Sequence, residues 1–451
     1  MLLEKIKTPG LSHLSYLVGS GDQAAVIDPR RDCETYIEKA RAAGLKITHI
    51  FETHRNEDLV SGAPILAEMT GAKVVHGPNP EKPIVYAQTA HEGDCFAIGQ
   101  LELQVLETPG HTDDHLAYAL YDTAYPDKAV GVFTGDALFV GDVGRTDFYP
   151  DRLKEVAGLL FDSLQKILAL GDQAMIYPAH GAGSVCGSGM AKREFSSVGH
   201  ERLNNPRLQI KSRDEFIEVK ISENHYQPPY FKLMERLNME GGEAAPRVMR
   251  PRNLSLDELK DCNPDHVIDI RDPMAYASGH LPGSMSLPVD MISAFAGWFI
   301  AEGERLALIA SDEQELSEAM EHLIRIAFDD IVGGYVGIVA AAKQGEHITQ
   351  MPMIETTEVA LRLDADKDNW TLLDVRDDDE RANNSIENSE HIYVGHLNEA
   401  WRKLDKERHY TLMCASGERA TVAAGWLASQ GFENLDIYLG GISAWQQAHD
   451  K

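Results

Sequence analysis

The chain has 451 residues, too many for one hydrophobic core and enough for two to four domains of ordinary size. Its formal charge of −29 is spread along the chain, which excludes a nucleic-acid or anionic-membrane surface, and no apolar run reaches the roughly 20 residues that span a bilayer. The first residues, MLLEKIKTPGLSHLSYLV, lack the pattern of a signal peptide, and the five cysteines (Cys33, Cys95, Cys186, Cys262 and Cys414) are odd in number and form no C-x-x-C pair. A cytoplasmic protein is expected, without a disulfide framework or a structural zinc site, in which any cysteine that matters does so as a thiol.

Residues 1–185 alternate short β-branched runs with turns and helical stretches: AAVIDP, ITHIFETH, AKVVHG, LELQVLETPGH, KAVGVFTGD and AMIYPAHG. Each run has strand length and stops at Gly, Pro, Asp or His. His54 follows ITHIF, His111 follows LQVLETPG, Asp136 follows VGVFTG and His180 follows MIYPA. One such histidine is more often structural than a ligand. Four ligand-type side chains in the same strand-end context predict a site at one edge of a sheet pair. Residues 190–240 read as helical and then irregular around the Pro-Pro pair of HYQPPYF, and GGEAAP at 241–246 reads as a linker.

An internal repeat follows. VIDIRD around Asp269 recurs as LLDVRD around Asp374, LALIASDEQE ending in Glu315 as YTLMCASGER ending in Arg419, and IVGGYVGI near Gly333 as YLGGISAW near Gly440. The offsets agree at about 105 residues, so two copies of one α/β domain are predicted. The predicted domains are 1–240, 247–350 and 351–451.

The order T-H-x-x-x-D, TPGHT, FTGD, YPAHG resembles metallo-β-lactamase-fold proteins, in particular their glyoxalase II and persulfide dioxygenase branch. The resemblance implies an αββα sandwich over residues 1–240. That family's first motif reads H-x-H-x-D-H, whereas this chain has His54-Arg55-Asn56-Glu57-Asp58-Leu59. Leu59 cannot ligate and Asn56 is a poor ligand for a transition metal, which disfavours a dinuclear hydrolase site. His54, His111 and Asp136 remain. Two histidines and one carboxylate with open positions form the facial triad of non-haem Fe(II) oxygenases, and the same positions are the iron ligands in the persulfide dioxygenases that the chain resembles. One Fe(II) per chain is expected, with Zn(II) the less favoured alternative. Asp58 and His180 are then expected to orient ligands or water. In GRTDFY, Arg145 could bind the anionic end of a thiol substrate, or Arg145 and Asp147 could form a structural network. Cys186 could accept a sulfur near the metal or be a plain loop cysteine. Cys33, Cys95 and Cys262 carry no motif.

In the last repeat the apolar run TLM leads into Cys414-Ala415-Ser416-Gly417-Glu418-Arg419, and ATVAAGWLASQG then reads as a helix ending at Gly. A cysteine on such a loop faces backbone N–H groups and a helix N-terminus, which stabilise a thiolate or persulfide. With LLDVRD before it and LGGISAW after it, the loop resembles that of a rhodanese domain. Its six residues suit sulfur, where related phosphatases use one more. The resemblance implies Cys414 as the persulfide carrier, Arg419 as holder of the loop and its anion, and Asp374 and Arg376 as scaffold. The usual G-H-I-P-G-A stretch is replaced by NNSIENSEHIYVGHL, which puts acceptor choice in doubt. The middle repeat has Ala310 at the cysteine position and lacks the loop glycine and arginine, so it is expected to be an inactive spacer or docking domain.

Together these readings predict oxidation of a low-molecular-weight persulfide by O2 to sulfite and thiol, coupled to sulfur transfer through Cys414 that forms or uses thiosulfate. The expected partners are small molecules and further copies of the chain, as a dimer or tetramer. The alternatives are a zinc-dependent glyoxalase II-like thioester hydrolase, and a sulfur-relay scaffold with an inert N-terminal domain.

Overall fold

The computed structural model describes residues 1–241, 251–365 and 369–449, except 185 and 188. Beyond Gly241, the linker expected at 241–246 lies outside the described residues. The chain forms two compact units, one built on Met1–Arg247 and the other on Val248–Ile324 and Phe328–Lys451.

The first unit contains two six-stranded sheets, each with its strands in chain order. One comprises β1 (Leu2–Thr8), β2 (His13–Ser20), β3 (Gln23–Ile27), β4 (Lys46–Phe51), β5 (Lys73–His76) and β6 (Gln88–Thr89). The other comprises β7 (Cys95–Ile98), β8 (Leu101–Glu107), β9 (Leu116–Asp122), β10 (Gly131–Gly135), β11 (Met175–Pro178) and β12 (Ser196–Ser197). Strand side chains alternate between two faces, and here both faces are apolar. Tyr16, Val18, Ile27 and Phe51 join Leu103, Tyr118, Leu120 and Phe133 between the sheets. Leu17, Val26 and Ile50 turn outward onto the helices Glu34–Ala42 and Ala63–Thr70. On the other side Ala117 and Ala119 of β9 leave room for Leu160, Leu164 and Ile167 of helix Leu153–Ala169. The result is the αββα sandwich. Burying both strand faces is why these runs read as nearly continuous apolar stretches rather than alternating ones.

Residues 222–240 depart from the sequence reading. Past the Pro-Pro pair the chain forms a helix, Phe231–Glu240, whose buried residues Phe231, Met234 and Asn238 share one face. It ends at Gly241 with φ +99°, a left-handed cap that favours glycine. The polar Asn238 on that face obscured the apolar spacing.

The second unit holds two parallel sheets. The strands β13 (His266–Asp269), β14 (Met285–Ser286), β15 (Leu306–Ala310) and β16 (Ile331–Val336) lie in the order β14-β13-β15-β16. β17 (Met353–Ile354), β18 (Trp370–Asp374), β19 (Glu390–His391), β20 (His409–Met413) and β21 (Leu435–Tyr438) lie in the order β17-β21-β20-β18-β19. Read from β19, the second sheet repeats the first and adds β17. Register agrees as well: Asp269 stands opposite Ile309 and Asp374 opposite Met413, so Ala310 and Cys414 occupy one position. The two repeats pack on each other. Asn398 donates to the Trp298 carbonyl at 2.6 Å, and a Cβ on Gly395 would lie 2.5 Å from the Trp298 ring.

Candidate active sites

The segment from Phe51 to Ala63 is buried throughout although most of its residues are polar. A buried loop needs partners for its backbone, and helix Phe231–Glu240 supplies them. Asn238 donates to the carbonyls of Asn56 (2.6 Å) and Leu59 (2.8 Å) and accepts from Ser61 N–H (2.8 Å). Tyr230 donates its hydroxyl to the Asp58 carbonyl at 3.1 Å.

This loop presents His54. The Thr53 hydroxyl donates to Asp28 (3.0 Å), so the contact of 2.9 Å between Thr53 Oγ1 and His54 Nδ1 has the ring as donor. His54 Nε2 then keeps a free lone pair. His111 is oriented in the same way, its Nδ1 donating to the Arg145 carbonyl at 3.0 Å. Such bonds fix the tautomer of metal-ligating histidines. Asp136 follows β10 directly. Its backbone N–H donates to His115 Nε2 at 3.0 Å, and His115 Nδ1 in turn donates to Thr108 Oγ1 at 2.8 Å. His115 is thus a neutral acceptor; burial and then the charge on His111 press its pKa down to about 3. Gly135, between Thr134 and Asp136, has φ +50°, and a Cβ there would lie 2.5 Å from His115 Nε2.

The donor atoms converge. Asp136 Oδ2 lies 3.5 Å from His111 Nε2 and 4.0 Å from His54 Nε2. Glu57 enters the same space, with Oε1 2.7 Å from His111 Nε2 and Oε2 3.9 Å from His54 Nε2. The donor atoms of these four residues lie within 4.8 Å of one another, and all four side chains are buried. His54 Nε2, His111 Nε2 and both Glu57 oxygens make no hydrogen bond of ordinary geometry among the described residues. Burial lowers the pKa of His54. Burial also acts to lower that of His111, but Glu57 and Asp136 overcome it and raise the pKa to about 9. Buried nitrogen and carboxylate atoms that face one another without hydrogen bonding fit a divalent metal ion, which would satisfy them together.

A second group adjoins the first. His180 Nδ1 lies 2.8 Å from Asp136 Oδ1 and its Nε2 lies 2.9 Å from Asp58 Oδ2. Cys186 Sγ belongs to the same cluster, and the thiol is buried. Burial followed by the charges of Asp58, Asp136 and Glu57 pushes the Cys186 thiol well above its usual range. Leu59 has no donor atom to offer, and Asn56 Oδ1 is buried without a hydrogen-bond partner among the described residues. Arg145 is buried and pairs with both carboxylate oxygens of Asp147 at 2.6 Å, donates to the Tyr226 carbonyl at 3.2 Å and sits 4.9 Å from the centre of the Phe148 ring. The Arg145–Asp147 network is therefore formed, and it also carries the carbonyl that orients His111.

In the last repeat Cys414 follows β20 directly, and the helix Glu418–Ser429 begins four residues later. Gly417 N–H donates to Cys414 Sγ at 3.1 Å. The loop rests on the start of the last helix: Ile442 N–H donates to the Cys414 carbonyl at 3.0 Å, and a Cβ on Gly441 would lie 2.1 Å from that oxygen. The close approach accounts for Gly441 of YLGGISAW, and a φ of +81° for Gly440 beside it. Arg419 makes a two-armed ion pair with Glu380, which also closes the capping box of helix Asp378–Asn383. Arg376 pairs with both oxygens of Asp374 and donates to the Asn384 carbonyl at 2.7 Å, a scaffold contact. In the middle repeat Ser311 N–H donates to Glu315, and the N–H groups of Gln314 and Glu315 donate to Asp312 Oδ1 at 2.9 Å. Its own carboxylates thus take up three amides of the loop.

The model of the metallo-beta-lactamase superfamily matches residues 8–180, and that of the rhodanese-like domain matches 254–339 and 356–448. The chain joins a metallo-beta-lactamase domain to tandem rhodanese domains. This fusion is 35% identical over 161 residues to a hydroxyacylglutathione hydrolase of Erythrobacter litoralis (strain HTCC2594), covering 36% of this chain and 59% of the relative. It is 29% identical over 260 residues to the mitochondrial persulfide dioxygenase ETHE1 of Mus musculus, covering 54% of this chain and 91% of the relative. The chain spans less than two thirds of the hydroxyacylglutathione hydrolases it matches first. A crystal structure of a metallo-beta-lactamase from Staphylococcus aureus subsp. aureus COL superposes with a TM-score of 0.68 at 29% identity, over 74% of this chain and 99% of that one.

Sequence reasoning gave no role to Glu57, His115, Asn238, Glu315 or Glu380. His115 had a usable signal, four residues after His111 in TPGHTDDH. Glu57 lies inside the His54–Leu59 motif and Glu315 at the position aligned with Arg419, whereas Asn238 and Glu380 had no local motif.

Proposed function

We propose that the N-terminal domain of the fusion is an iron-dependent persulfide dioxygenase and that its last rhodanese domain transfers sulfane sulfur through Cys414. The observation that carries this reading is the donor set: two histidines whose Nε2 lone pairs are freed by bonds at Nδ1, with the carboxylate of Asp136 beside them. His54, His111 and Asp136 would hold the metal, which when bound activates O2 and the substrate sulfur side by side. The net reaction is RSSH + O2 + H2O → RSH + SO3²⁻ + 2H⁺.

The chain's own groups do the rest. Thr53, with Asp28 behind it, and the Arg145 carbonyl hold the two rings, and His180 holds the far oxygen of Asp136. Asp58, on the other nitrogen of His180, holds that ring from its far side. A cavity of about 640 Å³ borders His180, within the size range of small-molecule sites. Lys5, Lys7, Lys192 and Arg193 line it with Glu194, which pairs with Lys5 and Lys7, and His54, His111 and Asp136 are not among its lining residues.

At the other site the Cys414 thiolate attacks the outer sulfur of a donor such as thiosulfate. The S–S bond breaks, sulfite leaves with the electron pair, and the persulfide on Cys414 is held by the Gly417 N–H. Run in reverse, sulfite from the first site becomes thiosulfate. One chain raises the effective concentration of the shared intermediate.

The test is oxygen uptake with glutathione persulfide or coenzyme A persulfide by protein loaded anaerobically with Fe(II), with sulfite measured in parallel. No uptake by protein holding one iron per chain would overturn the reading. A zinc-dependent thioester hydrolase is favoured by one observation, the Asp58–His180–Cys186 group beside the first site. Two zinc ions per chain with turnover of S-lactoylglutathione would establish it instead.

A further inference from the structure

We infer that Glu57 is a fourth protein ligand of the metal held by His54, His111 and Asp136, so that the site carries two histidines and two carboxylates. The inference rests on the metal-binding reading above.

The distances have the pattern of donors around one ion. Metal–ligand bonds of about 2.0–2.2 Å place neighbouring donors roughly 3 Å apart and opposite ones roughly 4.2 Å apart. Glu57 Oε1 lies 2.7 Å from His111 Nε2 and Oε2 lies 3.9 Å from His54 Nε2, against 3.5 and 4.0 Å for Asp136 Oδ2 to the same two atoms. Glu57 therefore stands as close to the histidines as the expected ligand does.

Its nearest ionic neighbour is a histidine of the site itself, His111. The side chain is 2% exposed, and neither oxygen accepts a hydrogen bond of ordinary geometry among the described residues. An ionised carboxylate is not buried without compensation unless a cation or donors meet it. The backbone on either side is clamped, Asn56 O by Asn238 and Asp58 O by Tyr230, so Glu57 projects inward from a fixed segment.

Charge and coordination number agree. A divalent ion with Asp136 alone leaves one net positive charge in a buried site; with Glu57 the charge is zero. The same four donors close a tetrahedral zinc site, which needs an open fourth position for catalysis. On a six-coordinate ion they leave two positions free, enough for a substrate sulfur and O2. Glu57 thus favours a six-coordinate metal at a site that the three-residue reading leaves open to either ion.

The test uses the full chain loaded anaerobically with Fe(II) or Co(II). A crystal structure of the loaded wild type is expected to place a Glu57 oxygen at about 2.0–2.2 Å from the ion. Glu57→Ala is expected to weaken Fe(II) binding at least tenfold in chelator competition and to change the visible spectrum of the Co(II) form. Circular dichroism of the metal-free variant checks its fold. An ion held by His54, His111 and Asp136 with Glu57 beyond 3 Å overturns this inference and leaves the proposed function standing. If no metal binds at these residues at all, both fall. The wild-type structure decides the matter even where Glu57→Ala does not fold.

Discussion

Replacing Asn238 with Ala removes nothing that could touch a substrate, yet it is expected to weaken both the fold and the metal site. Three hydrogen bonds vanish, at 2.6, 2.8 and 2.8 Å, and the two carbonyls and one N–H left behind are buried. A net contribution of about 1 kcal/mol per bond, with some further desolvation cost for each orphaned group, amounts to about 3–5 kcal/mol. That is a large part of the roughly 5–15 kcal/mol that holds a domain together. The loop that presents His54, Glu57 and Asp58 loses its clamp, so metal affinity is expected to fall about 10- to 100-fold, as when other groups that orient ligands are removed. Urea denaturation of the metal-free chain gives the first number and anaerobic chelator competition the second. Arg236→Ala is the control. It changes an exposed residue of the same helix, and its effect is expected to stay within about 0.5 kcal/mol. If Asn238→Ala unfolds at the same urea concentration as Arg236→Ala and binds metal as tightly as wild type, the loop does not depend on this clamp.

Three further outcomes are expected. Cys414→Ser should abolish sulfur transfer from thiosulfate while persulfide-dependent oxygen uptake continues, and His54→Ala should do the opposite; loss of both activities in either variant would contradict two separate sites. Gly135→Ala should cost about 2–4 kcal/mol, because φ +50° strains any side chain and the new Cβ meets His115 at 2.5 Å; a thermal melt reads it. For Glu380, burial acts to raise the pKa, but the ion pair with Arg419 prevails and holds it at about 2, below the usual 4.5. A depressed carboxylate stabilises the folded state above its unfolded pKa and loses that effect as the pH falls through its folded pKa. The melting-temperature gap between wild type and Glu380→Gln should therefore be constant above about pH 5 and shrink as the pH falls toward 3.

The residues that were legible in the sequence share one property: each sits just beyond a strand and carries its signal in the next few positions. His54, His111, Asp136 and His180 all follow β4, β8, β10 or β11 within four residues, and Cys414 follows β20 at once. Strand register then brings the loops that carry them to one edge of the sheet pair. The sandwich and the repeat were legible for the same reason, since apolar runs and their spacing are local. Asn238 and Glu380 escaped because their roles are set by long-range contact. Asn238 meets Asn56 across 182 residues and Arg419 meets Glu380 across 39, and no periodicity in either partner marks the pairing. Glu57 shows the limit most clearly. Reading Asn56 and Leu59 as lost ligands treats the motif as a subtraction, with three donors remaining and the rest of the site open. Yet which side chains point inward from an irregular loop depends on where its backbone is held, and here the clamps lie on a helix more than 170 residues downstream. Held there, the loop turns the carboxylate between the two substituted positions toward the histidines. A donor set on a loop can therefore be changed by a distant residue that never touches the metal.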